Sequence, residues 1–401
     1  MNFSSARTRL LIHTEQQIHY LARFQDQKLD ELIVHQQDQP YYKNQIYLGK
    51  ITRILPHINT AFVDIGLAKQ AYLPLDDIGT SVHSMQKQII ANHDQSSAPQ
   101  IYVGQMLIVQ VKKPPYKNKG AKVSSSISLA TQDLVLSSQS PGTCLVSNKI
   151  KSSATRTQLQ ALVHPFIQSN LGWVIRTHAT KASEQALLNQ VHTLKSLWQK
   201  IQQAAQTHTI QCLHSGASLM MQWLEDNQAY LNAPLLISDT KVQHKLQQEY
   251  ATQTLSDLTF AHPDDALIHA LHEGISQAQA RDIPLPCKGS IIIEPTEALT
   301  VIDVNSDRYL GQISPEHSVE EVNLEAAIEV ARQLRLRQLS GLVIIDFINM
   351  TSKAAQKNVY LTLQKALKQD TCVNYIGRFS YLGLLELSRQ KRYPSINENL
   401  R

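Results

Sequence analysis

Cysteine is scarce in this sequence, and its few copies form no metal-binding pattern. The four cysteines are widely separated, and no C-x-x-C pair occurs among them. Scattered cysteines in a cytoplasmic chain are most simply reduced residues of the core. We therefore expect reduced core side chains at Cys144, Cys212, Cys287 and Cys372.

Long hydrophobic runs are also absent. No apolar stretch approaches the roughly 18 residues that a membrane-spanning helix needs, and the apolar core of the N-terminus is too short for a secretory signal. We therefore predict a cytoplasmic protein without a membrane span. Its 401 residues are 42% hydrophobic, so the chain can bury several cores and should form roughly two to four domains. The formal charge is only +5, so positive charge must be concentrated locally if the protein is to hold a nucleic acid.

Two apolar runs near the end of the chain each lead to a carboxylate. They are Thr300–Ser306, which contains Asp303, and Leu342–Ile348, which contains Asp346. Aliphatic residues in such runs are buried, which leaves each Asp at the mouth of a core, where an unpaired charge is costly. A divalent cation is a natural partner. The alternative is that each Asp only caps its strand or accepts hydrogen bonds from nearby backbone.

The segment between these runs predicts how they come together. Residues Asn323 to Leu339 have the apolar spacing of an amphipathic helix, and Gly341 supplies the stop. Strand, helix and strand would bring Asp303 and Asp346 to neighbouring strand ends, and Asn305 would point to the same face as Asp303. The helix also carries basic side chains that we expect to be available to solvent or to an anion, namely Arg332, Arg335 and Arg337.

Two carboxylates and an amide form an oxygen-only ligand set. Such a set suits Mg²⁺ or Mn²⁺ and suits zinc poorly. The ion keeps several waters, one of which can act as a nucleophile while the ion polarises a phosphoryl oxygen. The residues therefore point to hydrolysis of a phosphodiester.

Three long segments resemble the catalytic region of the bacterial ribonuclease E/G family. They are TEALTVIDVNSDR (296–308), NLEAAIEVARQLRLRQLSGLVIIDFINM (323–350) and LGLLELSRQKR (382–392), and the resemblance extends over nearly the whole chain. It implies a Mg²⁺-dependent endoribonuclease that cleaves single-stranded RNA. The family's catalytic residues match Asp303, Asn305 and Asp346, with the two carboxylates as metal ligands.

The resemblance also implies the fold and the domain boundaries. The fold class is α+β with several domains, in which an S1 (OB-fold) barrel at 43–130 is inserted in an RNase H-like subdomain formed by 1–42 and 214–285. A 5′-sensor region follows at 131–213, and a DNase I-like α/β catalytic domain occupies 286–401. Alternating apolar residues over positions 1 to 40 independently predict short antiparallel strands that join a sheet completed elsewhere.

The S1 prediction has support from the residues themselves. Closely spaced strands at 45–55, 60–66, 70–75 and 104–113 surround one long polar stretch, as in an OB-type barrel. Aromatic residues on the open face of such a barrel can stack on unpaired bases, although Phe62 could instead lie in the barrel core. The family pattern nominates Phe62, Tyr72 and Lys119 as RNA contacts, and we add Lys112. Further charge comes from Lys50, Arg53, Lys69 and Lys113 and from the basic loop 116–122.

A second binding site is implied for the 5′-terminal monophosphate of RNA. A strand at 172–177 precedes a predicted helix from about Ser183 to Gln206, and the family's phosphate-binding pair matches Arg176 and Thr177. A guanidinium binds phosphate bidentately and a hydroxyl completes the cradle. The family usually continues with glycines, whereas this chain has His178.

The region 214–286 has no motif of its own, and we predict helices at 241–255 and 264–280. Its imidazole and carboxylate groups do not have the H-E-x-x-H spacing of a zinc site. We therefore expect ordinary surface or core roles for His262, His269, His272 and Glu273.

One departure from the family pattern lies close to the second catalytic Asp. The family commonly has Asp three residues after the second catalytic Asp, and this chain has Asn349. An amide can keep a hydrogen bond to a metal ligand or its water while losing the charge.

The sequence supports two functional hypotheses. The first is a Mg²⁺-dependent endoribonuclease (Mn²⁺ being possible) that cleaves single-stranded, A/U-rich RNA, leaves 5′-phosphates and senses 5′-monophosphates, in RNA processing and decay, including rRNA processing and mRNA decay. The second is a catalytically weak homologue that binds RNA through its S1 domain. Family members dimerise through the catalytic domain and through a zinc ion that two protomers share at a Cys-Pro-x-Cys motif. This motif does not occur in the sequence, so we expect a monomer or a homodimer through the catalytic domain without zinc.

Overall fold

The chain folds into two compact units of mixed α and β structure. The computed structural model describes residues 8–78, 101–115, 119–251, 258–306, 315–372 and 374–400. One unit contains residues 1–39 and 223–401, and the other contains residues 40–222. Part of the predicted basic loop, Tyr116 to Asn118, lies outside the described residues.

The strands are numbered in chain order. They are β1 (Thr8–Glu15), β2 (Ile18–Gln25), β3 (Lys28–Gln36), β4 (Ile46–Leu55), β5 (Thr60–Asp64), β6 (Ala71–Pro74), β7 (Met106–Lys113), β8 (Lys122–Ser124), β9 (Ser128–Ala130), β10 (Leu134–Ser137), β11 (Cys144–Val146), β12 (Gly172–Ile175), β13 (Gln211–His214), β14 (Leu235–Ile237), β15 (Phe260–Ala261), β16 (Asp282–Pro284), β17 (Ser290–Pro295), β18 (Leu299–Asn305), β19 (Gly341–Asp346), β20 (Asn374–Phe379) and β21 (Leu384–Arg389).

The α-helices are numbered in the same way. They are α1 (Ser153–Val163), α2 (Glu184–Ala204), α3 (Leu219–Asp226), α4 (Thr240–Ala251), α5 (Asp265–Gln279), α6 (Pro315–Arg337), α7 (Lys353–Leu367) and α8 (Ile396–Asn399). The helices predicted near α2, α4 and α5 are therefore confirmed. Ser183 and Asp264 cap α2 and α5, and each side chain accepts a hydrogen bond from a backbone N–H of the first turn.

The N-terminal strands form a five-stranded sheet in the order β15-β14-β1-β2-β3. Strands β1, β2 and β3 are antiparallel neighbours, whereas β14 and β15 add in parallel. The turn between β1 and β2 contains Gln16 and Gln17, both with positive φ, which suits a two-residue hairpin. The prediction that these strands join a sheet completed by later segments is confirmed.

The second unit contains a closed barrel. Its strands run β4-β5-β6-β8-β7, and β7 returns to pair with β4, while β13 extends the sheet from β4. Inward-facing aliphatic residues such as Ile51, Val63 and Val109 fill the interior. The strands pack tightly at Gly49, where an added Cβ would lie 2.6 Å from Val63. This closure agrees with the predicted OB-type barrel.

A smaller four-stranded sheet follows the barrel in the same unit, in the order β11-β12-β10-β9. Helices α1 and α2 pack on it through a shared core that includes Trp173, Val163, Leu187 and Val191. Strand β12 ends at the buried residue Ile175. The next two residues, Arg176 and Thr177, are exposed.

The C-terminal sheet has six strands in the order β16-β17-β18-β19-β21-β20. Strands β18 and β19 are parallel, because α6 crosses between them. Helices α6 and α7 cover one face, and Val330 and Val359 pack there against Ile302 and Ile345. Residues on the other face, including Val301 and Asp303, are only partly buried.

The arginines of α6 correct one expectation. All three are buried rather than available to solvent, because α6 packs on the β18–β19 sheet through one side and contributes to the core of the β1–β3 sheet through another. Arg332 donates to Glu329 and to the backbone oxygen of Leu29. The partners of the other two are Asp30 for Arg335 and Gln333 and the Ala280 backbone oxygen for Arg337. The apolar spacing showed one buried stripe and could not reveal a second layer.

The cysteines are all free, as predicted, but they are not all core residues. Cys287 and Cys372 are buried and Cys144 is half-buried, whereas Cys212 is exposed on β13. Strand β13 lies at the edge of its sheet, where one side pairs with no strand of the described part of the chain. In the described part of the chain, no helix has both the length and the apolar character to cross a membrane.

Candidate functional site

Asp303 and Asp346 lie side by side at the ends of two parallel strands. They are direct Cα partners in the β18–β19 pair, which places their backbones about 4.8 Å apart. Their neighbours Ile302 and Ile345 point into the core, so the two carboxylates emerge together on the opposite face. Asp303 is half-buried and Asp346 is exposed. Carboxylates in this arrangement are close enough to bind one ion.

Asn305 joins the same group, as the alternation of side chains along β18 predicts. Its Nδ2 donates a hydrogen bond to Oδ2 of Asp303 at 3.0 Å. Among the described residues, neither Asp303 nor Asp346 has an ion pair with a lysine or arginine. The amide holds one carboxylate in place, and the negative charge of the pair is left for a cation.

The loop after β19 is held by a residue that the sequence analysis did not single out. Asn323 of α6 is fully buried, and its side chain forms two hydrogen bonds with the backbone of Ile348. Its Nδ2 donates to the Ile348 oxygen at 2.8 Å, and its Oδ1 accepts from the Ile348 N–H at 3.0 Å. Ile348 lies between Asp346 and Asn349, so this clamp fixes the path of the loop that follows the second Asp. A polar residue at the start of an otherwise apolar helix stripe was the available signal.

Two further polar side chains border this face of the sheet. Asn349 is exposed in the loop after β19. Glu386 is exposed on β21 and pairs with Ile344, which is two residues before Asp346 on β19, so its side chain is on the same face as Asp346. Glu386 lies within the segment that resembles the family, but the sequence analysis gave it no role.

The donor set fits the cation that the sequence predicts. Two carboxylate groups and an amide offer oxygen ligands, and the exposure of Asp346 leaves room for water. Zinc would favour nitrogen or sulfur ligands. The cysteine closest in sequence to Asp303, Cys287, is buried. A site of this composition can hold a hard divalent cation and bring an attacking water to a phosphoryl group.

The barrel presents a row of cationic and aromatic residues across four strands. Phe62 of β5 pairs directly with Tyr72 of β6, and both are half-buried on the outer side of the barrel. Arg53 of β4 pairs with Phe62, and its Cζ lies 4.6 Å from the ring centroid. Lys122 of β8 pairs with Tyr72. Phe62 is therefore not a residue of the barrel core. The row combines stacking surfaces with a cationic side chain at each end, and the Nζ of Lys122 lies 2.8 Å from Oδ2 of Asp77.

The predicted lysines differ in exposure. Lys119 is exposed, next to Gly120, whose backbone packs so closely on Gln70 that a Cβ would overlap its carbonyl oxygen. Lys112 is half-buried, and its Nζ donates to Gln110 Oε1 at 2.6 Å. Burial lowers the pKa of Lys112 to about 8. Lys119 is thus better placed than Lys112 to contact a phosphate.

Arg176 and Thr177 are exposed next to each other on the smaller sheet. Arg176 Nη1 donates to the Thr131 oxygen at 2.9 Å, and the Thr177 hydroxyl lies 3.0 Å from the Ser147 hydroxyl. The following residue, His178, is anchored rather than flexible, because its Nδ1 lies 2.7 Å from Oδ1 of Asp133.

Asp133 itself is buried, and its other carboxylate oxygen accepts a 2.7 Å hydrogen bond from Gln190 of α2. The hydrogen bond between His178 and Asp133 therefore holds the loop at the position where the family resemblance predicts glycine.

Comparison with known proteins gives a family match over more than half of the chain. A family model described as "Ribonuclease E/G family" matches residues 128–392. The chain belongs to the ribonuclease E/G family.

Individual family members align over almost the whole chain. This chain is similar to ribonuclease E of Escherichia coli K12, with 34% identity over 98% of this chain and 37% of that protein. Similarity to ribonuclease E of a Nostoc species is also 34%, over 94% of this chain and 55% of that protein. Ribonuclease G of Haemophilus influenzae is 31% identical over 93% of this chain and 77% of its own length. The chain thus spans about 37% to 55% of the ribonuclease E proteins it matches and a larger share of ribonuclease G.

Proposed function

We propose that this ribonuclease E/G family member is a divalent-cation-dependent endoribonuclease that acts in RNA processing and decay. The observation that carries the proposal is the pairing of Asp303 with Asp346 at two parallel strand ends, without a basic side chain to neutralise them among the described residues. The similarity to ribonucleases E and G supports the same activity.

Asp303 and Asp346 would hold one Mg²⁺, or Mn²⁺ in its place. When bound, the ion would activate water for in-line attack and neutralise charge on the phosphoryl oxygens, which leaves a 5′-phosphate and a 3′-hydroxyl. Asn305 keeps Asp303 in one orientation through its 3.0 Å hydrogen bond. Asn323 fixes the loop between Asp346 and Asn349 through the Ile348 backbone.

We propose that the barrel row binds single-stranded RNA. Phe62 and Tyr72 would stack on unpaired bases, for about 1–3 kcal/mol per base. Arg53, Lys122 and Lys119 would contact phosphates near them. Stacking discriminates little between bases, so we expect a preference for unpaired, A/U-rich RNA rather than for one sequence.

We further propose that Arg176 and Thr177 recognise a 5′-terminal monophosphate. Their exposure and adjacency support this role. Arg176 donates one N–H to the backbone oxygen of Thr131, which leaves the rest of its guanidinium for a phosphate. The His178–Asp133 pair would hold the loop in one conformation rather than let it close around the ligand.

The finer assignment of subdomains belongs to the same proposal. The order β3-β2-β1-β14-β15, with three antiparallel and then two parallel strands, supports an RNase H-like arrangement for 1–42 with 214–285. The mixed six-stranded sheet formed by β16 to β21, with α6 and α7 on one face, supports a DNase I-like arrangement for 286–401. Homodimerisation through this domain and a cytoplasmic location stay predictions.

The test is cleavage of a labelled RNA by matched variants. We expect Asp303→Asn and Asp346→Asn to abolish Mg²⁺-dependent cleavage of a 5′-monophosphorylated, fluorescent A/U-rich oligonucleotide, because each removes charge from the cation site. Binding, measured by anisotropy, should stay within a few-fold of the native protein. Asp38→Asn, an exposed change in the same unit, is the control and should cleave normally.

The same experiment decides between the two candidate functions. Asn349 in place of a carboxylate favours the alternative, a homologue that binds RNA but cleaves it weakly. In that case the native protein would raise the anisotropy without producing shorter RNA, with or without Mg²⁺. Retained Mg²⁺-dependent cleavage in either catalytic variant would refute the assignment of the cation site.

A further inference from the structure

Two imidazoles and one carboxylate converge at a place far from the catalytic carboxylates in the sequence. His13 and Glu15 are two residues apart on β1, so they project from the same side of the strand, and His272 comes from α5. Their ligand atoms all lie within 4.8 Å of one another, and this is the one such group of three among the described residues. All three belong to the unit formed by 1–39 and 223–401.

The distances suit a small transition-metal ion. Glu15 Oε2 lies 3.1 Å from His272 Nε2 and 3.8 Å from His13 Nε2. Ligand atoms on a tetrahedral zinc ion, with bonds of about 2.0–2.1 Å, are about 3.3 Å apart. These two distances lie on either side of that value, and the ligand atoms of the two imidazoles lie within 4.8 Å of each other.

His13 is oriented by its surroundings but lacks hydrogen bonds. Its side chain is 13% exposed, and its Nδ1 is buried without a partner in the described part of the molecule. Its ring stacks on Tyr20 of β2, with the centroids 6.1 Å apart.

We propose that His13, Glu15 and His272 form a binding site for a zinc-class divalent ion, with one coordination position open to water or another ligand. Two nitrogen donors and one carboxylate match zinc, nickel or cobalt and do not match Mg²⁺. The site links β1 to α5 through Glu15 and His272, which are 257 residues apart in the sequence. It differs in ligands and in metal class from the proposed Mg²⁺ site and does not depend on it.

The test is a Zn²⁺ titration of the full chain by calorimetry, in excess Mg²⁺. We expect one saturable site whose dissociation constant rises by about 100-fold or more in Glu15→Gln and in His272→Ala. Losing a direct ligand should cost at least the 10- to 100-fold that is typical of losing an outer-shell partner. Glu15 and His272 are largely exposed, so both variants should fold. The matched control is His269→Ala, an exposed histidine one turn earlier on α5, which should bind Zn²⁺ as the native protein does.

Cobalt provides a second readout that reports the ligands directly. The native protein with Co²⁺ should show the visible absorption bands of a four- or five-coordinate ion, and these should disappear in His272→Ala but not in His269→Ala. If Glu15 and His272 only hydrogen-bond to each other and hold no metal, the native protein and His272→Ala will give the same Zn²⁺ affinity and the same Co²⁺ spectrum. Either of those results, or the lack of any saturable site, would overturn the proposal.

Discussion

At the scale of single residues, the environment of Asp346 depends on what stands beside it in the loop. Asp346 and Asn349 are both exposed, and Asn323 holds the backbone between them. The family resemblance predicts a carboxylate where this chain has Asn349. An amide there keeps a dipole but removes one negative charge close to the proposed cation site, which lowers its attraction for Mg²⁺.

We predict that Asn349→Asp strengthens Mg²⁺ activation. The half-saturating Mg²⁺ concentration for RNA cleavage should fall by about 10-fold, the lower end of the range for an outer-shell partner. Asn189→Asp, which adds the same charge on the exposed side of α2, should leave it unchanged. An equal response of the two variants would mean that Asn349 has no part in the cation site.

At the scale of secondary-structure elements, register determines which side chains act together. The row Arg53, Phe62, Tyr72 and Lys122 exists because β4, β5, β6 and β8 pair with these residues opposite one another. A shift of one residue in any pair would move an aromatic ring to the barrel interior. The strands therefore create a continuous surface from residues that are scattered over 70 positions of the sequence.

We predict that Phe62→Ala and Tyr72→Ala each weaken binding of single-stranded RNA by about 1–3 kcal/mol, since each removes one stacking ring. Anisotropy with an oligonucleotide that cannot be cleaved would measure the loss. Tyr102→Ala, at an exposed tyrosine outside the row, serves as the control and should bind normally. If Tyr102→Ala lowers affinity as much as Tyr72→Ala does, then the row is not the binding surface.

At the scale of the whole molecule, buried ion pairs link the beginning of the chain to its last third. Asp30 of β3 accepts hydrogen bonds from Arg23 of β2 and from Arg335 of α6, and all three side chains are nearly inaccessible. Burial alone would raise the pKa of Asp30, but Arg335 and Arg23 outweigh it and hold the pKa below its ordinary value. Asp370 and Arg389 form a similar buried pair in the same unit.

We predict that this network makes the unit sensitive to acid. Because the folded pKa of Asp30 is depressed, its stabilisation is present above the ordinary pKa of 3.8 and is lost as the pH falls below it. Asp30→Asn should lower the free energy of unfolding by about 3–5 kcal/mol near neutral pH, because it leaves a buried guanidinium without its partner. Urea unfolding at neutral and acidic pH would measure this, and the difference from the native protein should shrink in acid.

Asp38→Asn, a change at an exposed position of the same unit, is the control for that experiment. It should unfold as the native protein does at both pH values. A deficit in Asp30→Asn that is the same in acid as at neutral pH would show that packing, rather than the charge of Asp30, accounts for the loss.

Local patterns were enough to predict many of the elements and the central pair of the site. Capping residues such as Ser183 and Asp264 determine where helices begin, because their side chains satisfy backbone groups of the first turn. Alternation along a strand places Asn305 with Asp303, and the strand, helix and strand pattern places Asp346 beside them. These relations depend on neighbours in the sequence or on one short crossover.

Only the tertiary structure decided which surfaces are covered and which distant residues meet. It buried Arg335 between two sheets, although its helix shows one apolar stripe, and it brought His272 to His13 and Glu15. Apolar periodicity indicates which face of a segment is buried. It does not show what packs on the other face or which residues from distant parts of the sequence contact it. The sequence by itself therefore determined the elements and the carboxylate pair, whereas long-range packing decided the partners of the charged residues, because burial is a property of the assembled layers.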